Sequence, residues 1–202
     1  EAGDDVHTAV ASRTWGIDPS EVTKELRNRA KMVAYGLAYG MEAYGLAQRL
    51  GSPVEEAAEI LESYFAAFPA IRTYMDRTVA EARQKGYTET LFGRRRRIPE
   101  LSSSNYNVRL AAERQAMNAG IQGLAADVFK VALIRIDRSL RDAGFESTLV
   151  LQVHDEVILE VPPEELSEVE AMVRTVMTGA YELRVELAVE VAVGATWADA
   201  KG

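Results

Sequence analysis

Cysteine is absent from the 202 residues, which excludes disulfide frameworks and thiolate metal sites. Histidine occurs only at His7 and His154, so imidazole chemistry has two places in which to occur. No run approaches the roughly 20 uninterrupted apolar residues of a membrane span, and neither a basic leader nor an apolar signal core opens the sequence. The expectation is a cytoplasmic protein with no membrane partner. Internal repeats and low-complexity linkers are also lacking. What is present is a 48% share of hydrophobic residues, enough for a buried core.

Positive charge is scarce overall: the net charge is −8, which argues against a phosphate-rich partner. The distribution of charge along the chain points the other way. From Asp155 onward there are eleven acidic and three basic residues, so everything up to His154 is balanced. Within the balanced part, cations gather at Arg27, Arg29 and Lys31 and at Arg94, Arg95, Arg96 and Arg97. Local basic surfaces can therefore exist on an acidic chain.

Periodicity and punctuation predict helices over 5–15, 19–39, 42–50, 53–67 and 71–85, with Pro19, Pro53 and Gly51 at their ends. Gly86 then opens a β-prone stretch leading through Gly93 into the arginines, read as a small hairpin or an extended loop. A helical segment follows from about 107 to 142, interrupted at Gly120 and Gly123. Residues 148–161 give the strongest strand signal, an antiparallel hairpin with His154, Asp155 and Glu156 at its turn. A helix over 163–177 and a strand over 188–193 complete the pattern. Helices first and strands with helices later point to an α+β fold in two lobes.

At 100° per residue, Arg27, Lys31, Tyr35 and Tyr39 fall on one face of the 19–39 helix, while Leu26, Ala30, Val33 and Leu37 fall on the opposite one. An isolated Arg and Lys at this spacing usually belongs to an ordinary amphipathic surface helix. Two aromatic rings continuing the cationic face suit a nucleotide better, with cations for phosphates and a ring for the base or sugar.

The full pattern, Arg27-x-x-x-Lys31-x-x-x-Tyr35-Gly36-x-x-Tyr39-Gly40, resembles the nucleotide-binding helix of family A DNA polymerases. That resemblance implies that Arg27 and Lys31 hold the triphosphate of a dNTP, that Tyr35 packs on its sugar and base, and that Tyr39 stacks at the templating position. His7, in Asp-Val-His-Thr, is similar to a family histidine that reaches the phosphates. Gln152-Val-His154-Asp155-Glu156 resembles a further family signature. By resemblance Asp155 is a Mg²⁺ ligand with Glu156 in support, His154 lies near the primer end, and Gln152 lies close by. Two Mg²⁺ ions stabilising the attacking and leaving oxygens suit phosphoryl transfer, and hard oxygen donors suit Mg²⁺. Asp155, Glu156 and Lys31 form the expected catalytic set.

Arg114, Asn118 and Gln122 follow one another at four-residue spacing, as in a family segment that meets the minor groove, where degenerate acceptors allow contact with any sequence. Arg94, Arg95 and Arg96, within Thr90-Leu-Phe-Gly93-Arg-Arg-Arg-Arg97, are similar to a family loop and are expected to touch the DNA backbone. The resemblance runs from Asp5 to Trp197 and implies a mostly helical fingers lobe over 1–108. The C-terminal half of a palm with an antiparallel sheet then occupies 109–202. It also implies a monomer acting on primer-template DNA and dNTPs in replication and repair.

In the family, another metal-binding aspartate precedes the Asp-x-His-Thr segment by a few tens of residues. This sequence starts six residues before His7, so the isolated chain is expected to be inactive. Two rivals stand beside this reading: a single-subunit RNA polymerase, which shares the helix and the His-Asp turn, and a non-catalytic nucleotide- or DNA-binding fragment. Glu156, Gln152 and the Arg114/Asn118/Gln122 segment favour the DNA enzyme over the first.

Overall fold

The computed structural model describes residues 5–38 and 40–201 and is mostly helical, with two separate two-stranded antiparallel sheets among those residues. The α+β expectation holds. Two compact units divide between Leu124 and Ala125.

In the N-terminal unit, α1 (Val6–Trp15) starts where the Asp5 carboxylate accepts from the backbone N–H groups of His7 and Thr8, at 2.9 and 2.8 Å. It ends at Gly16 in the left-handed conformation. The helix expected over 19–39 begins later. Asp18 and Pro19 instead start a one-turn 3-10 segment, Pro19–Glu21, and the chain is extended at Val22. The Thr23 hydroxyl then accepts from Leu26 N–H, so α2 runs Lys24–Ala38. The helices α3 (Ala43–Leu50), α4 (Val54–Ala67) and α5 (Pro69–Lys85) follow. Pro69 occupies the first position of α5, two residues before the expected start, because its missing N–H costs nothing there.

Ala11, Ala30 and Ala57 are completely buried and let α1, α2 and α4 approach closely around Val33, Leu46 and Ile60. Burial of Ala30, Val33 and Leu37 leaves Lys31 and Tyr35 exposed, so the two faces read from residue spacing are the two faces of the folded helix.

The hairpin β1 (Tyr87–Glu89) and β2 (Arg95–Arg97) pairs Tyr87 with Arg97 and Glu89 with Arg95. Fully buried Ile98 packs with Ala82 of α5 and with Ala112 and Ala116 of α6 (Tyr106–Ala143). That 38-residue helix is unbroken at Gly120 and Gly123, against the expected interruption. The glycines serve close approach instead of bending. A Cβ at Gly120 would lie 2.9 Å from the Tyr74 hydroxyl, and one at Gly123 would lie 2.6 Å from Thr90 Cγ2.

A short β-branched side chain cannot swing aside from such a contact. Gly123→Ala should therefore destabilise the protein by about 1–3 kcal/mol through overpacking, although alanine is intrinsically the better helix former by about 0.8–1.0 kcal/mol. Denaturant melting checks the sign, and an unchanged or raised midpoint would contradict the tight seat.

In the C-terminal unit, β3 (Thr148–Val153) and β4 (Glu156–Glu160) form the expected hairpin. Ile136 and Leu140 of α6 pack with Val169 and Val173 of α7 (Leu166–Thr178), and Leu149, Val157 and Leu159 of the hairpin close over them. Glu165 ties α7 to the strand entry, accepting from the N–H groups of Glu146 and Ser147 and from the Ser147 hydroxyl at 2.6 Å. That hydroxyl bond, above all, holds the Glu165 carboxyl below its ordinary range.

The strand expected over 188–193 does not form: the segment is irregular. Apolar alternation needs a partner edge, and here the Val189 carbonyl accepts instead from the Arg174 guanidinium of α7 at 2.8 Å. A short helix, α8 (Trp197–Lys201), lies beyond it.

Candidate functional site

The nucleotide-like face is built on α1 and α2. The His7 ring lies 5.8 Å from the Tyr35 ring at a 59° tilt, and the Lys31 ammonium lies 5.8 Å from the same ring. Tyr35 is half exposed, so a ring flanked by an imidazole and an ammonium is offered to solvent. His7 Nδ1 is sealed from water and has no hydrogen-bond partner among the described residues. Arg27 adjoins them on α2, and its guanidinium is engaged: Nε and Nη2 donate to Asp5 Oδ2 at 3.0 and 2.5 Å. This bond, chiefly, holds the Asp5 carboxyl far below the usual carboxylate range. Asp5 thus fixes the start of α1 with one oxygen and Arg27 with the other.

Gly40 explains the second glycine of the helix pattern. It has φ 64°, and a Cβ there would sit 2.7 Å from Arg114 Cγ, so only glycine lets the end of α2 turn against α6. Arg114 is therefore packed against Gly40, just past the end of α2, and Asn118 and Gln122 continue along α6 on the same side of the helix. Tyr39 lies outside the described residues.

The arginine run divides by role. Arg94 donates to the Gly123 carbonyl at 2.9 Å and so fastens the hairpin to α6. Arg95 pairs with Glu89 and lies 4.8 Å from the Tyr87 ring. Arg96 and Arg97 are exposed. Two members of the run thus build the loop.

The carboxylate hairpin belongs to the other unit. Its strands pair Val153 with Glu156, which leaves His154 and Asp155 as a two-residue turn. His154 has φ 54°, the conformation such turns demand and one that a non-glycine residue adopts only under constraint. Gln152 supplies part of that constraint by donating its amide to the His154 carbonyl at 2.7 Å. A bulge at Val150 shifts the register between Leu149 and Leu151 before the turn. Asp155 in the turn and Glu156 at the start of β4, not in the turn as expected, are both exposed.

Among the described residues no three His, Asp or Glu side chains gather as a metal cage. Two adjacent hard-oxygen donors at a constrained turn still fit Mg²⁺, which is held by one or two carboxylates together with substrate phosphates and water.

Residues 1–199 match the family described as DNA polymerase family A. The chain belongs to that family. It is 53% identical over 195 residues to DNA polymerase I of Mycobacterium tuberculosis, covering 96% of this chain and 22% of that protein. It is 46% identical over 202 residues to the Streptococcus pneumoniae DNA polymerase I, covering all of this chain and 23% of that one. Among solved structures, the POL domain of Pol1 from M. smegmatis, in complex with DNA primer-template and dNTP, matches with a TM-score of 0.96 at 50% identity. That match covers all of this chain and 36% of the other. The chain thus spans under a quarter of the length of these curated relatives.

Against this family background, two contacts escape sequence reasoning. Asp5 carries a legible helix-start signal, whereas its bond to Arg27, 22 positions away, leaves no local trace. Lys201 forms an ion pair with Glu156 at 3.2 Å, 45 positions away, which likewise leaves no local trace. No helix among the described residues is long and apolar enough to cross a membrane.

Proposed function

We propose that this chain is the fingers and the C-terminal part of the palm of a template-directed DNA polymerase, which transfers a nucleotidyl group from a dNTP to a primer 3′-hydroxyl. The fingers take in 1–108 and the palm part 109–202. The observation that carries the reading is family A membership over 1–199, joined to the cationic and aromatic face of α1 and α2.

Lys31 and Arg27 supply charge to the triphosphate, and His7, whose ring lies 5.8 Å from that of Tyr35, adds a polar group beside them. Tyr35 lies against sugar and base, and Tyr39 stands at the templating position. Arg114, Asn118, Gln122, Gln152 and His154 meet the primer-template, and Arg96 adds backbone contact, with Arg94 and Arg95 shaping the loop that presents it. Asp155, supported by Glu156, would hold Mg²⁺; one protein ligand of the two-metal pair comes from outside these 202 residues. Bound there, the metal pair would polarise the phosphoryl oxygens and favour ionisation of the attacking hydroxyl. The setting is DNA replication and repair. Primer extension by the full-length protein, with dNTPs and then with NTPs, tests the reading: ribonucleotide preference would transfer it to an RNA polymerase, and no extension would leave only binding.

Tyr35 gives a finer test. A dideoxynucleotide lacks the 3′-hydroxyl and so loses a hydrogen bond near the triphosphate, which an exposed phenol at this place can replace. Dideoxynucleotides should be used readily by the full-length protein. Tyr35→Phe should restore discrimination by at least about tenfold, since one such bond is worth about 1–3 kcal/mol. Equal dNTP-to-dideoxynucleotide ratios in the two proteins would leave the ring a packing role alone.

A further inference from the structure

The carboxylate hairpin has a cation of its own. Two neighbouring carboxylates repel each other and draw in any positive charge within reach. The Lys201 ammonium, 3.2 Å from a Glu156 carboxylate oxygen, is that charge.

Its placement is built, since three local features converge on the last turn of the chain. The Asp199 carboxylate accepts from the Thr196 N–H and hydroxyl at 3.0 and 2.6 Å, and Asp199 N–H returns a bond to the Thr196 hydroxyl, a reciprocal cap that starts α8. Gly194 allows the chain to fold back over that helix, for a Cβ there would lie 2.6 Å from Ala200 N. The Trp197 ring, 4.8 Å from the ammonium, holds the lysine stem in place. An ion pair with both side chains about half exposed adds little to stability, so folding alone does not account for the arrangement.

We propose that Lys201 is a positioning residue for the metal site: it holds Glu156 in the metal-free protein and competes with the divalent cation for that carboxylate, thereby setting metal affinity. The inference rests on the reading of Asp155 and Glu156 as metal ligands. An ammonium bound to a ligand oxygen weakens divalent binding twice, by occupying the oxygen and by repelling the ion. Glu156 would then pass from lysine to metal as the cation arrives, while Asp155 forms no ion pair among the described residues that would have to be broken.

The test measures Mn²⁺ binding, by the paramagnetic resonance signal of the free ion, to the full-length protein with primer-template and a non-hydrolysable dNTP analogue. Lys201→Met keeps the stem and removes the charge; it should bind Mn²⁺ roughly three- to tenfold more tightly, the scale expected for removing one positive charge several ångströms from a divalent ion near water. Lys201→Arg should stay near wild type. In a Glu156→Gln background the gain from Lys201→Met should shrink to less than about twofold, because the two residues act on one oxygen. Unchanged or weaker Mn²⁺ binding by Lys201→Met overturns the proposal. Parallel measurements on Asp155→Asn and Glu156→Gln separate the two levels. If they weaken Mn²⁺ binding while Lys201→Met is silent, only the lysine's role is lost; if they too leave binding unchanged, the metal reading goes with it.

Discussion

Asp155→Ala is expected to abolish primer extension by the full-length protein while primer-template affinity stays within about twofold, the signature of a group that acts on the chemical step alone. The geometry behind this expectation is the two-residue turn. His154 at φ 54°, its carbonyl held by Gln152, fixes the direction in which the next side chain leaves the hairpin. Alanine at 155 removes the carboxylate and leaves the ladder from Thr148 to Glu160 intact, because Asp155 belongs to no pair of it. Folding is therefore spared. Glu156→Gln should have a weaker effect, since its carboxylate is already shared with Lys201. Near-normal extension in Mg²⁺ by the Asp155 variant, measured on a labelled primer, would remove Asp155 from the metal site.

Lys31→Ala is expected to lower kcat/KM for dNTP by roughly ten- to a hundredfold, as loss of a charge-assisted contact to a triphosphate should. DNA affinity should change little. Arg27→Ala should cost less, because the Asp5 carboxylate already takes two of the guanidinium donors and offsets its charge. Lys31 is exposed beside an exposed tyrosine, and its substitution leaves the buried face of α2 untouched, so stability is not the route of the effect. Steady-state kinetics against dNTP concentration, with DNA binding measured in parallel, check the claim. A collapse of DNA binding with unaltered dNTP dependence would turn this face toward the duplex.

The helices and the two hairpins were legible from periodicity and turn residues because each is stabilised by neighbours in sequence. The 3.6-residue repeat of α2 separated Lys31 and Tyr35 from Ala30, Val33 and Leu37 without any knowledge of what the latter pack against. The His154-Asp155 turn was equally local: two β-rich runs with a polar break leave few places for a reversal. Resemblance then supplied chemistry that spacing alone left open between a surface helix and a nucleotide site.

Three features were decided only by the folded chain. Gly120 and Gly123 read as helix breakers, and they are instead points where Tyr74 and Thr90 press against an unbroken α6. A glycine that relieves strain and a glycine that admits a neighbour look alike in one dimension. The apolar alternation at 188–193 promised a strand, but a strand requires an edge to pair with, and Arg174 took up the Val189 carbonyl instead. The partners of the charged groups, Asp5 with Arg27 and Glu156 with Lys201, join residues 22 and 45 positions apart. Sequence determines which side chains can carry charge or stack on a base, since that is a property of each residue and its near neighbours. Which charges neutralise one another, and which remain for a phosphate or a metal, depends on a few ångströms of tertiary placement, because at an exposed surface electrostatic attraction falls away over that distance.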